Sequence, residues 1–185
     1  MDKRKTVGTE KFNLVHRELI TKSKQILASS SFLDLTFQNL SKSSDYSKTT
    51  IYYHFNSDIN LLYHDVLKSF RIEISKNIEE MNIKDSKQYI ISIYEYIFDY
   101  IESNPNLYKN LFLIAVLLTG TNYTGQDLVT PLLEKLTIAT NKKLNFKEHW
   151  SRFNAVSIQY VLTDDTKIKQ KIKAEFFKKL NSILT

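Results

Sequence analysis

Between residues 36 and 55 the chain reads TFQNLSKSSDYSKTTIYYHF, and the polar residues of this stretch gather in one place. Ser47, Lys48, Thr49 and Thr50 are consecutive, and Tyr52, Tyr53 and His54 follow within a helical turn. A lysine can neutralise a phosphate, and neighbouring hydroxyls can reach other phosphates or the edges of bases in a major groove. If these residues open a helix, its free N–H groups and the positive end of its dipole favour the same anionic partner. Small hydroxyl side chains also let a helix start approach such a partner closely.

The apolar residues of the same stretch define the elements that must hold this cluster. Phe37 and Leu40 are spaced i, i+3, and Ile51 and Phe55 are spaced i, i+4. Tyr46 falls between them, where it can plug the angle. The pattern predicts two short helices, capped by Thr36 and Ser47 and joined by a turn at Ser44-Asp45-Tyr46. Such a pair, packed at a steep angle, is a helix-turn-helix unit.

Nothing else in the sequence competes as a chemical site. His16, His54, His64 and His149 are scattered without paired ligands at metal spacing. Cysteine is absent, which excludes disulfide frameworks and thiolate zinc sites. There is no glycine-rich phosphate loop and no evident Ser-His-Asp arrangement. The expectation is a non-enzyme without metal or cofactor.

The chain has 185 residues, 42% of them hydrophobic, enough for one compact unit or two small ones sharing a core. With 3 Gly and 2 Pro it has few sharp turns to offer, which favours an all-α fold. Periodicity predicts about nine helices. The first covers roughly 10–29, on the face Leu19, Ile20, Ser23, Ile26 and Leu27. The second and third end near Ser43 and Phe55. A long fourth, which Ser57 can cap, carries Leu62, Val66, Phe70, Ile74 and Ile78 and runs to about Met81. Asp85 and Gln88 suggest a capping box for the fifth, and Asn104-Pro105 opens the sixth, to about Leu118. Residues 120–129 read as a loop, Thr130-Pro131 opens a seventh helix to about Leu144, and the eighth spans roughly 146–162. Asp164-Asp165 opens the ninth, with its stripe at Ile168, Ile172, Phe176, Leu180 and Ile183.

The run Ser47-Lys48-Thr49-Thr50-Ile51-Tyr52-Tyr53-His54-Phe55, followed by Asn56-Ser57-Asp58-Ile59-Asn60-Leu61-Leu62, resembles the DNA-binding domain of the TetR family of bacterial transcriptional regulators. The resemblance covers roughly residues 12–67. It implies a helix-turn-helix domain at 8–68, with its motif at 36–55, and an effector-binding and dimerisation domain at 69–185. By the same resemblance Thr36 would contact a phosphate and Ser47, Lys48, Thr49 and Thr50 would face the major groove. Tyr52, Tyr53 and His54 would hold phosphates and fix the angle of the helix, and a basic N-terminal arm (Lys3, Arg4, Lys5) would add backbone or minor-groove contacts. Three positions depart from the family. Asp45 stands where the turn usually has Gly, a place Asp can fill because it tolerates the left-handed conformation. Ser41 replaces a small Ala. Asp58 replaces a Lys, which suits a helix N-terminus but not a phosphate.

Beyond residue 69 the residues speak only of helices. The last two are strongly striped, and Trp150, Phe153, Ser157, Val161, Ile172, Phe176 and Leu180 are the expected homodimer interface, as a four-helix bundle from two subunits. The alternative is that some of them close the core of one subunit. Helix five is rich in rings (Tyr89, Tyr94, Tyr96, Phe98, Tyr100), with Tyr108 and Phe112 following. These rings either fill a core or wall a pocket for a small apolar or aromatic effector, with Tyr96, Tyr100 and Phe112 as its candidates.

The net charge of +6 is uneven: +3 over 1–60, −1 over 61–164 and +4 over 165–185. A modest basic excess is compatible with nucleic acid, and the C-terminal part reads as the solvated face of a helix. The longest apolar run, Leu111 to Leu118, is far short of the roughly 20 residues of a membrane span. No apolar segment follows the basic start as a signal peptide requires, so a cytoplasmic protein is expected. The expected function is a dimeric, ligand-released repressor on a palindromic double-stranded operator. A co-activator working through a protein partner and an architectural DNA-binding protein are the alternatives.

Overall fold

The computed structural model describes residues 3–119 and 146–184, with side chains from Thr9 (except Ser86) in the first stretch and from Ser151 in the second. Among these residues the regular structure is all helical. In chain order there are α1 (Lys3–Ser29), a 3₁₀ turn (Phe32–Asp34), α2 (Phe37–Ser43), α3 (Lys48–Phe55) and α4 (Ile59–Glu79). Then come α5 (Ser86–Ser103), α6 (Pro105–Leu117), α7 (Phe146–Leu162) and α8 (Thr166–Leu184). The fold class is all-α, as composition required. The loop expected at 120–129 and the helix expected at 130–144 lie outside the described residues.

Most helix starts follow from their capping residues. Thr36 accepts from the Asn39 N–H at 3.1 Å, Ser47 from Thr50 at 3.2 Å and Asp85 from Gln88 at 2.7 Å. Each side chain satisfies one of the orphan donors of its first turn. The capping box at α5 is one-sided, because the Gln88 amide turns to the Ser92 hydroxyl instead of the cap. Asp165 accepts from both Lys167 and Ile168 at the start of α8.

Four expectations need correction. Helix α1 begins at Lys3 rather than near residue 10, so Lys3, Arg4 and Lys5 belong to a helix and not to a free arm. No proline interrupts residues 3–9, and extending a nucleated helix costs little even across Gly8. The 3₁₀ turn was unforeseen; Ser31 and Asp34 close it with a reciprocal capping box. Asp45 does not take the left-handed conformation: that falls on Asn56 (φ 50°) and Ser57 (φ 58°). Ser57 therefore cannot cap α4. Asp58 does so, accepting from the Asn60 N–H at 2.9 Å.

The chain divides into two compact units. One is Met1–Phe70 with the segment from Asn110, and the other is Arg71–Lys109 with the last two helices. The first division lies two residues from the expected border at 68/69. The assignment of the later part of α6 to the first unit was not expected, and Asn110 explains it. This buried amide donates to the carbonyls of Leu27 and Ser30, both at 2.7 Å, and accepts from the Phe32 N–H at 3.1 Å. It thereby satisfies carbonyls that α1 leaves open at its C-terminus. Within this unit Leu19 and Leu27 of α1, Leu40 of α2, Ile51 and Phe55 of α3, and Leu62 and Val66 of α4 form the core.

The second unit is built around the rings of α5. Tyr94 and Phe98 are fully buried against Phe153 of α7 and Phe176 of α8, with centroids 4.9–5.9 Å apart. Tyr108 donates to the buried Ser157 hydroxyl at 2.9 Å. Lys173 lies 3.3 Å from both Asp99 and Glu102, and Glu102 also accepts from Tyr160. So part of the C-terminal basic excess ties α8 to α5, while Lys167 and Lys171 are solvated. No helix among the described residues is long and apolar enough to cross a membrane.

Candidate nucleic-acid interface

Helix α3 is eight residues long and two-sided. Ile51 and Phe55 are fully buried, and Phe55 stacks on Phe37 of α2 with centroids 6.3 Å apart. Those contacts leave the opposite side of the helix outward. On its cap and first turn Ser47, Lys48 and Thr49 are exposed and Thr50 is half-buried. The Ser47 hydroxyl accepts from the Thr50 N–H and lies 3.0 Å from the Thr50 hydroxyl. Tyr52 is 42% exposed, with its ring edge on Phe37, and Tyr53 is 72% exposed, with its ring edge on Phe12. Thr36 and Lys42, on the preceding helix and its cap, are exposed as well.

The turn between α2 and α3 is fastened from both ends. The Ser41 hydroxyl donates to the Tyr46 carbonyl at 3.0 Å, a bond the alanine of the resemblance would lack. The Tyr46 hydroxyl donates to the Glu18 carboxylate on α1, and that bond raises the phenol above its ordinary value. Tyr46 thus spans from the turn to α1, instead of filling only the angle between α2 and α3. On the far side the Tyr63 hydroxyl of α4 reaches the Leu35 carbonyl at 3.3 Å. The first turn of α3 is an exposed set of hydroxyls and one ammonium, held at a fixed angle by buried neighbours.

His54 does not belong to that exposed set. It is 7% exposed, and its ring stacks on Phe12 of α1 at 4.2 Å. A helix turns 100° per residue, so one step past the outward Tyr53 reaches the side facing α1. Burial, helped by the nearby His16, pushes the imidazole below its ordinary 6.5, so it sits there neutral.

Three of the four histidines are not scattered in space. His16 of α1 lies 3.3 Å from Asp65 of α4, His64 lies 3.1 Å from the same carboxylate, and the His16 and His54 rings are 5.7 Å apart. Burial alone would raise the Asp65 carboxyl; the hydrogen bonds to His16 and His64 outweigh that and hold it below its usual value. His16 to Phe12 is an i, i+4 pair, but the pairing with α3 and α4 is tertiary, so spacing along the chain gave no signal for it. Among the described residues no group of three such side chains is placed to hold a metal ion.

The expected dimer residues turn inward within their own unit. Phe153, Ser157, Val161, Phe176 and Leu180 are all buried, and Ile172 is half-buried. The Trp150 side chain lies outside the described residues. The stripe of the last two helices is occupied by the rings of α5, so it is not free to receive a partner. Outward, Leu162 is 62% exposed at the end of α7 and Ile168 is 48% exposed at the start of α8.

The ring-rich helix α5 mostly builds core. Tyr96 and Tyr100 stay half-buried. Tyr96 accepts from the Asn77 amide at 2.7 Å. Burial, with help from Glu73 and Tyr96, pushes the Tyr100 phenol up to about 12. Phe112 is half-buried but falls in the first compact unit, whereas Tyr96 and Tyr100 fall in the second. No family model, curated protein or solved structure matches the chain.

Proposed function

We propose that this protein is a sequence-specific DNA-binding transcriptional regulator in which α2 and α3 act as a helix-turn-helix, with α3 entering the major groove. The observation that carries this reading is the division of α3 itself. Its apolar residues Ile51 and Phe55 are spent on the core, while Ser47, Lys48, Thr49, Tyr52 and Tyr53 are exposed and Thr50 is half-buried, and of these Lys48 and Thr49 have no packing or capping contact among the described residues. Thr36 adds a hydroxyl at the start of the preceding helix. Lys48 serves a phosphate, the hydroxyls serve phosphates or base edges, and the tyrosines flank the groove. His54 acts from beneath, as packing. Asp58 is occupied as a helix cap and takes no part in contacting phosphate.

In this reading the protein binds a palindromic operator as a homodimer, and a small apolar or aromatic effector releases it, giving repression. The half-buried phenols Tyr96 and Tyr100 support an effector site in the second unit. Helix α4 starts in the first unit and ends in the second, so a ligand that favours the released state has a continuous element to act on. With the buried stripe excluded, dimerisation falls to the outward side of the last two helices, where Leu162 and Ile168 are exposed.

The test is selection of bound sequences from a random duplex library by the purified protein at near-physiological salt. The expected result is an enriched palindrome whose half-sites are about 34 Å apart or a little more. Binding without enrichment that fades as salt rises would replace this reading with an architectural one.

A further inference from the structure

Among the described residues, three histidine rings gather beneath α3 near the Asp65 carboxylate. Asp65 stands between His16 and His64, and both are within 3.3 Å of its oxygens. His54 has no such partner. It lies between the Phe12 ring at 4.2 Å and the His16 ring at 5.7 Å, and its Nδ1 is buried without a hydrogen-bond partner, as is the Nδ1 of His16. A neutral imidazole can leave Nδ1 as a bare lone pair. A protonated one carries hydrogen on both nitrogens, so Nδ1 becomes a buried donor facing no acceptor, and the ring gains a charge.

We propose that His54 is a proton-operated release for α3: neutral, it clamps the helix onto α1, and protonated, it drives the helix off. Among the described residues, the charge that acts on it is His16, and it opposes a proton on the ring. From α1 it meets His16, whose own proton would repel a second charge. On α4 the Asp65 carboxylate lies against His16 and His64 rather than His54. α2 presents Phe37 to α3, and the neighbour on its own helix is Tyr53, with ring centroids 5.8 Å apart. The unfolded chain takes up the proton near the ordinary 6.5 and the folded protein only below it. Stability from the neutral ring is therefore complete above 6.5 and is lost as the pH falls from there through the folded value. Asp65, held below its ordinary 3.8, stays charged throughout that window.

The switch can be read in the free, full-length protein by NMR. The His54 ring should titrate below 6.5, and the amides of Lys48–Phe55 should lose exchange protection several-fold between pH 7.5 and 5.5, after correction for intrinsic rates. His54→Phe keeps the ring stack and removes the proton site, so its protection should be the same at both values. A His54 titration at or above 6.5, wild-type protection that does not change, or an equal loss in His54→Phe would each overturn the proposal. If His54→Phe does not fold, the wild-type titration and exchange decide alone.

The consequence for DNA rests on the proposed function. At matched ionic strength the wild type should lose operator affinity on acidification while His54→Phe keeps it. This runs against the general gain in DNA affinity of a protein that becomes more positive. Failure to find an operator would leave the free-protein measurements intact. An operator bound equally by both proteins at both pH values, with α3 protection unchanged, would sink the switch and spare the DNA-binding reading.

Discussion

Helix α3 and the α7–α8 pair both carry apolar stripes, and they repay reading very differently. On α3 Ile51 and Phe55 are buried, as spacing required, His54 is buried beside them, and Ser47, Lys48, Thr49, Tyr52 and Tyr53 stand outward. On α7 and α8 the stripe is longer, yet it faces the rings of α5 and not a second subunit. Periodicity says that a helix buries one side; it does not say against what. Exposed polar residues at a helix start that neither cap nor pack, as Lys48 and Thr49 are here, are a different signal, because the fold gives no reason for them. A stripe is therefore strong information about stability and weak information about partners.

The largest effect that could break this contrast is at Phe153. Its ring meets Tyr94, Phe98 and Phe176 within one unit. Phe153→Ala should lower the unfolding free energy by about 3–5 kcal/mol, read by urea denaturation, through lost burial and a residual cavity. The loss should be the same at high and low protein concentration. A variant that keeps its stability at high concentration but dissociates on dilution would return the stripe to the subunit interface.

A smaller effect sits where the two roles of α3 meet. Ser47 caps the helix through Thr50 and also faces outward. Ser47→Ala should cost about 1 kcal/mol of stability, and Ser47→Gly only a few tenths, because glycine serves nearly as well at that position. If the hydroxyl also touches DNA, both variants should bind the selected operator equally weakly despite their unequal stability. Affinity that tracks stability instead would reduce Ser47 to a cap.

Much of the fold was legible for local reasons. Thr36, Ser47, Asp85 and Asn104-Pro105 mark helix starts by chemistry confined to four residues, and the structure follows them. Both Ser57 and Asp58 suit a helix start by type, and the left-handed backbone of Ser57 leaves the cap of α4 to Asp58. What stayed hidden depends on residues far apart in sequence. The three bonds of Asn110, to the end of α1 and to the 3₁₀ turn, span about 80 residues. His54 looked like one more polar residue on an exposed helix until Phe12 and His16 closed over it. The candidate site was legible in its outer half, where side chains answer to solvent, and illegible in its inner half, where tertiary packing decides.

The smallest effect on stability should come from Lys48, and it is the sharpest test of the contrast. The side chain is exposed on the first turn of α3, and the core gives it no task. Lys48→Ala should therefore leave unfolding unchanged within about 0.5 kcal/mol, as surface substitutions do. Operator binding should weaken about equally for all sequences, and the slope of log affinity against log salt should fall by about 1, the signature of one lost phosphate contact. A changed base preference at an unchanged salt slope would move Lys48 from the backbone to a base edge. No change in either would mean that the outward side of α3 is merely solvated, and the distinction between a helix side with a packing reason and one without would lose its functional meaning here.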